Sequence, residues 1–133
     1  MSLKGKHVVV LGAGRSGRAA AALALREGAA VSVYDEADAI SGFAAEVALH
    51  PRATVETGAE VASDLLIVSP GIDTYGPLVQ AFSRHAAQVV GEMEFAWHYF
   101  PGFTIAITGT NGKTTTTEII SQILNASGIS CVP

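Results

Sequence analysis

The sequence predicts an α/β protein: a parallel sheet with helices on both faces, followed by the opening strand, loop and helix of a second unit. Three observations carry that expectation. Short apolar, β-branched runs alternate with longer helix-forming stretches along the chain. The connections between the apolar runs are too long for hairpins, so the strands must lie parallel and be joined by right-handed crossovers. Glycines cluster where two of the apolar runs end, which is where such a sheet turns into its helices.

Along the chain, residues 7–11 (HVVVL) read as a buried strand ending in glycines, and residues 16–27 as a helix stopped by Gly28. Residues 30–34 (AVSVY) are the second strand. A weaker helical stretch covers 41–49, broken before Pro51, and 54–57 reads as a short strand. Residues 64–68 (DLLIV) form a buried strand that ends at Ser69-Pro70-Gly71. Pro77 opens a helix reaching residue 85, 88–90 is a strand, and 91–100 is a helix closed by Pro101-Gly102. Then come a strand at 103–107, a glycine-bearing loop at 109–113, a helix at 114–127 stopped by Gly128, and the start of a strand at 129–132.

A complete βαβ set precedes Pro101-Gly102, so the expected domains are 1–101 and 102–133. About 30 residues cannot bury a core of their own, so the second domain is expected to be a truncated start. Residues 1–3 read either as native or as a cloning addition.

Composition narrows the function classes. Hydrophobic residues make up 49% of the 133 and charged residues 15%, which suits a layered, buried core. The net charge is −4 and no basic run exists, so the footprint of a nucleic-acid binder is missing. No apolar run approaches the roughly 18 residues of a membrane span, and no signal-peptide core opens the chain. A soluble cytoplasmic protein is expected. The single Cys131 cannot form an intrachain disulfide, which agrees with a reducing compartment.

Two loops carry the chemistry. Gly109, Thr110, Asn111, Gly112, Lys113, Thr114 and Thr115 follow an apolar strand and open a helix. Glycines there let backbone N–H groups turn toward phosphate oxygens, and the helix N-terminus favours negative charge. Lys113 supplies a cation for β- and γ-phosphates, and the Thr114 hydroxyl suits a Mg²⁺ position. The spacing departs from the general G-x-x-x-x-G-K-[ST] form, since Ile107 stands where its first glycine would fall. The other loop is Gly12-Ala13-Gly14-Arg15-Ser16-Gly17, with Asp35 at the end of the next strand. That is a dinucleotide-type spacing, open to NAD or FAD, to another diphosphate, or to a plain glycine turn. Ser69, Pro70 and Gly71 end a strand at the same edge of the sheet and could line the same cleft.

Together, G-x-G-x-S-G at 12–17, S-P-G at 69–71, G-E-M-E-F at 91–95 and T-G-T-N-G-K-T-T at 108–115 resemble the Mur ligases, in particular the D-glutamate-adding branch. The resemblance runs from Gly5 to Gly128. It implies a Rossmann-like domain that holds the UDP moiety of UDP-N-acetylmuramoyl-L-alanine, followed by the truncated start of a P-loop ATPase domain. Gly14, Arg15, Ser16 and Gly17 would approach the diphosphate, Asp35 the uridine end, and Ser69, Pro70 and Gly71 the other side. The implied reaction belongs to peptidoglycan synthesis: ATP, with Mg²⁺, phosphorylates the substrate carboxylate, and the amine of D-glutamate attacks the acyl phosphate. Lys113 and Thr114 would be the catalytic members of this segment. The chain alone is expected to be inactive, the full-length protein monomeric, and the truncated chain able to self-associate through strand 103–107. Glu36-Ala37 stands where some relatives carry Thr-Arg, which leaves the uracil contacts open. An NAD(P)-binding oxidoreductase domain is the competing reading.

His7, His50, His85 and His98 show no metal-ligand spacing and are expected at the surface or half-buried. Glu92 and Glu94, two apart on a helix, do not share a face and are expected to be solvated. Phe95, Trp97, Tyr99 and Phe100 are expected to pack at the domain junction.

Overall fold

The computed structural model describes residues 2–133; Met1, one of the three residues of open origin, lies outside the described residues. The chain divides into two compact units, one ending at Phe100 and one starting at Pro101.

The first unit holds strands β1 (His7–Leu11), β2 (Ala30–Tyr34), β3 (Ala48–His50), β4 (Leu65–Val68) and β5 (Val89–Gly91). Its helices are α1 (Arg15–Arg26), α2 (Val55–Glu60), α3 (Pro77–Ser83) and α4 (Glu92–His98). All strand pairs are parallel, in the order β3-β2-β1-β4-β5. The sheet therefore winds outward from β1 in both directions, the Rossmann-like architecture that the alternation of strands and helices implies. Side-chain alternation splits the core into two layers. Val8, Val10, Val31, Val33, Leu65, Ile67 and Val90 pack with Ala20, Ala21 and Ala24 of α1 and Phe95 of α4. Val9, Leu11, Tyr34, Leu66 and Val68 pack with Leu78, Val79 and Phe82 of α3. Because both faces are covered, the strands read as continuous apolar runs.

Two expected elements are replaced in the middle of this unit. Residues 41–49 are not helical: Ala48–His50 pairs with β2, in register Ser32↔Ala48 to Tyr34↔His50. Their alanines, glutamate and leucine favour helix locally, but propensity is a weak prior and the ladder to β2 overrides it. Residues 54–57 are not a strand but the start of α2. The Thr54 hydroxyl accepts the Thr57 N–H at 3.2 Å, and the Thr57 hydroxyl accepts the Thr54 N–H at 3.2 Å. That reciprocal cap fixes a helix start where β-branched residues suggested extension.

Gly58 of α2 sits against α3. A Cβ there would lie 2.5 Å from Cδ2 of Phe82, a side chain that is itself fully buried. Gly58→Ala is expected to destabilise the unit by about 1–3 kcal/mol despite alanine's better helix propensity. Urea unfolding checks this; a variant at least as stable as the parent would refute the packing.

The second unit consists of the 109–112 loop, α5 (Lys113–Ala126) and flanking segments. No strand is assigned over 103–107 or 129–132, in contrast to expectation. A strand needs a ladder partner, and the only regular element of this unit is a helix. Phe103 and Ile105 are 96% and 52% exposed. The end of the chain is instead tied to α5: the Ile129 N–H donates to Leu124 O at 2.9 Å and the Gly128 N–H to Asn125 O at 3.1 Å, a Schellman stop. The Asn125 amide then accepts the Cys131 N–H and donates to the Cys131 carbonyl, each at 3.0 Å.

Candidate functional site

In the first unit, the order in which the chain fills the parallel sheet reverses between β1 and β4, and their carboxyl ends open the crevice of such a fold. The loop after β1 is held close. The Gly12 N–H donates to Tyr34 O at 2.8 Å, and the Ser69 N–H donates to Leu11 O at 3.0 Å, so three strand ends are tied together. Gly17 lies so near β1 that a Cβ there would stand 1.9 Å from the Gly12 carbonyl oxygen. The glycine spacing thus lets α1 start directly against the strand it follows. Gly14 is the N-cap of α1, in extended conformation, with nothing within 4 Å of where its Cβ would be. A ligand can approach the backbone there.

Asp35 lies at the end of β2 and reaches across to this turn. Its Oδ2 accepts the Ala13 N–H at 2.6 Å and its Oδ1 accepts the Ala37 N–H at 2.8 Å. The carboxylate therefore shapes both loops, a role the sequence did not show beside the expected one at the uridine end. Beside it, Tyr34 stacks on His50 with ring centroids 4.3 Å apart and meets Phe82 edge-on. Burial pushes its phenol above the usual 10, so it stays neutral.

A cavity of about 290 Å³ opens between these loops, lined by Ala13, Gly14, Arg18 and Asp35 together with Ala37, Ala39, Ile40 and Ser41. A second, about 210 Å³, lies on the other side of Glu36, against Ile72, Asp73 and Leu78. Of the expected residues, Gly14 and Asp35 line the first cavity, and Gly17 and Ser69 lie buried beneath the turn. Arg15 and Ser16 are exposed on the first turn of α1, and Pro70 and Gly71 are exposed after β4; none of the four lines either cavity.

Sequence reasoning missed two residues. Arg18 faces the first cavity, its Nε 3.4 Å from the Ala13 carbonyl and its guanidinium against Gly42. One signal was available, since a cation four residues after Gly14 faces the same side of a helix as the turn. Glu92 was expected to be solvated. Its Oε2 is instead buried without a hydrogen-bond partner, as is the Ser69 hydroxyl. Glu94 is exposed. Phe95 is buried in the first unit and meets Tyr99 edge-on at 5.3 Å, whereas Trp97 and Phe100 are 63% and 56% exposed.

The second unit presents its own loop. Gly109 and Gly112 take φ of +151° and +79°, values that a side chain would strain, and Gly112 is the N-cap of α5. Lys113 opens the helix and curls back so that its ammonium donates to the Gly109 carbonyl. Thr110, Asn111, Thr114 and Thr115 are exposed around it. Among the described residues no group of three or more His, Cys, Asp or Glu gathers to hold a metal, and no helix is long and apolar enough to cross a membrane.

These two sites agree with relationships seen across the chain. Residues 6–91 match the N-terminal domain of MurD-like Mur ligases, and residues 107–132 match the Mur ligase middle domain. The UDP-N-acetylmuramoylalanine--D-glutamate ligase of Desulfatibacillum aliphaticivorans is 39% identical over 98% of the chain, and that of Koribacter versatilis 38% over 96%. The chain spans 30% of the length of each. The crystal structure of shikimate dehydrogenase 1 from Peptoclostridium difficile superposes with a TM-score of 0.58, covering 98% of this chain and 43% of that one. At 17% identity that likeness concerns the fold alone. With both of its loops falling in matched segments, the chain belongs to the Mur ligase family, in the MurD-like branch.

Proposed function

We propose that residues 1–101 form the UDP-binding domain, and residues 102–133 the beginning of the ATP-binding domain, of an ATP-dependent ligase that joins D-glutamate to UDP-N-acetylmuramoyl-L-alanine in peptidoglycan synthesis. The supporting observation is the gathering of the 12–17 turn, Asp35 and Ser69 at the reversal point of the sheet, in a chain whose relatives carry that ligase name. An NAD-binding oxidoreductase would account for the 12–17 turn but leaves the 109–114 loop without a purpose. Nucleotide-linked substrates and ATP suit the cytoplasm.

In this reading the exposed residues Gly14, Arg15 and Ser16, with the buried Gly17 seating the turn beneath them, receive the diphosphate at the start of α1, where the helix dipole favours an anion. Arg18 adds a cation at the edge of the same cavity. Asp35 holds the Ala13 and Ala37 amides in place and marks the uridine end. Pro70 and Gly71 extend the wall that Ser69 begins.

At the other loop, the backbone of Gly109, Thr110, Asn111, Gly112 and Thr115 cradles the phosphates of ATP. Lys113 exchanges its loop carbonyl for a phosphate oxygen and offsets charge that develops on the transferred group. The substrate carboxylate oxygen takes the γ-phosphoryl group as its bond to ADP breaks. The amine of D-glutamate then forms the C–N bond, phosphate leaves, and the nitrogen gives up its proton. Mg²⁺, were it bound, would offset negative charge on the phosphates. The Thr114 hydroxyl fits it as one oxygen ligand of about six; phosphates, waters and the remainder of a longer protein supply the others.

Calorimetric titration of this chain with UDP-N-acetylmuramoyl-L-alanine and with NAD tests the reading. Saturable binding of the UDP-sugar and none of NAD is expected. Binding of NAD with no response to the UDP-sugar would sink it.

A further inference from the structure

Ser69 Oγ and Glu92 Oε2 are, among the described residues, the two buried side-chain atoms without a hydrogen-bond partner. They hold equivalent places in the sheet. Val68 and Gly91 are the last register partners of β4 and β5, and Ser69 and Glu92 are the next residue of each segment. Ser69 follows Ile67 by two and Glu92 follows Val90 by two, and both of those side chains lie in the layer under α1 and α4. Consistent with that face, a Cβ at Gly17 would stand 3.4 Å from Ser69 Oγ. Leaving one such buried group unpaired is costly, and more so when it is charged. Two at adjacent strand ends, on the carboxyl edge of the sheet, point to a shared partner rather than to two separate accidents of packing.

We propose that Glu92, with Ser69, binds a hydrogen-bond-donating group, a hydroxyl or an amide N–H, on the sugar of the UDP-linked substrate. This inference rests on the reading of the first unit as a UDP site. Neighbouring strands lie about 4.8 Å apart, so Asp35 after β2, the turn after β1, Ser69 after β4 and Glu92 after β5 make a row about 14 Å long. A nucleotide with its uridine at Asp35 and its diphosphate on the turn extends its sugar over β4 and β5. A carboxylate there repels phosphate and accepts from a sugar donor, so it selects the end of the ligand as well as binding it. Both atoms are almost inaccessible, and the contact therefore needs the Glu92 carboxyl to turn. Its terminal torsion has only a broad preference, so the turn costs little.

A purely structural role is available to Glu92, since a negative charge in the first turn of α4 complements the helix dipole. That role changes stability and leaves nucleotide choice untouched. The test titrates the unaltered chain, Glu92→Gln and Glu92→Ala with UDP and with UDP-N-acetylmuramoyl-L-alanine, and records a melting curve for each. Expected is a loss of about tenfold or more in affinity for the UDP-sugar in Glu92→Ala, a smaller loss in the size-matched Glu92→Gln, and unchanged affinity for UDP. UDP binding that is intact with no selective loss for the UDP-sugar in either variant overturns this inference alone. An equal loss for both ligands does the same, because it marks a structural effect. No binding of UDP or the UDP-sugar by the unaltered chain overturns the nucleotide reading and this inference with it.

Discussion

Gly17→Ala is expected to lower the melting temperature of the first unit by about 12–24 °C, the equivalent of about 3 kcal/mol or more. The new methyl carbon would lie 1.9 Å from the Gly12 carbonyl oxygen and 3.0 Å from its carbon. Both are backbone atoms at the end of β1, so no rotamer change relieves the clash. Helix α1 would have to move off the sheet, and its buried Ala20, Ala21 and Ala24 would lose their close seats on the strands. Gly14→Ala is the matched control, because nothing lies within 4 Å of that position and its φ is −68°. Its stability is expected to change by no more than about 1 kcal/mol, as for exposed positions away from special geometry. Scanning calorimetry of the two variants checks both statements. A Gly17→Ala chain that melts with the parent would show that α1 does not start against β1.

Lys113→Ala, in a full-length ligase carrying this segment, is expected to slow ATP-dependent phosphate release by about a thousandfold, with binding of the UDP-sugar unchanged. Lys113 is the only cation of its loop, and its ammonium already reaches the loop backbone at Gly109. Removing it leaves the charge on the transferring phosphoryl group to backbone dipoles and metal alone. The proposed UDP site uses residues of the other unit, which is why the two readouts should separate. Phosphate release near the parent's rate would remove Lys113 from the chemistry; a matching loss of UDP-sugar binding would mean that the substitution acts through folding.

Much of this was legible in the residues because local and long-range requirements agree. His7–Leu11, Ala30–Tyr34 and Leu65–Val68 are apolar on both faces, a pattern that only the centre of a covered parallel sheet demands. Glycines at 12, 14 and 17 announced a tight turn by spacing alone. Failures came where a partner distant in sequence decides. Ala48–His50 becomes a strand because β2 is there to receive it, and 103–107 lacks one because its unit brings it no ladder partner. At Thr54 two hydroxyls closed a cap that β-propensity concealed. Position along a strand put Asp35 and Ser69 at the carboxyl ends of β2 and β4, but could not give the pair of amides that Asp35 holds or the burial of the Glu92 oxygen. Those depend on which loops the sheet brings side by side.

The lengths of the outer strands have a consequence for how the first unit behaves in a crowded solution. β3 and β5, at the two borders of the sheet, are three residues each, against five for β1 and β2. Each border therefore exposes about 10 Å of open ladder, too little to template the addition of a foreign strand. The unit keeps its longest and most apolar strands where no second molecule can pair with them, so the sequence most prone to amyloid-like stacking is the part least able to begin it.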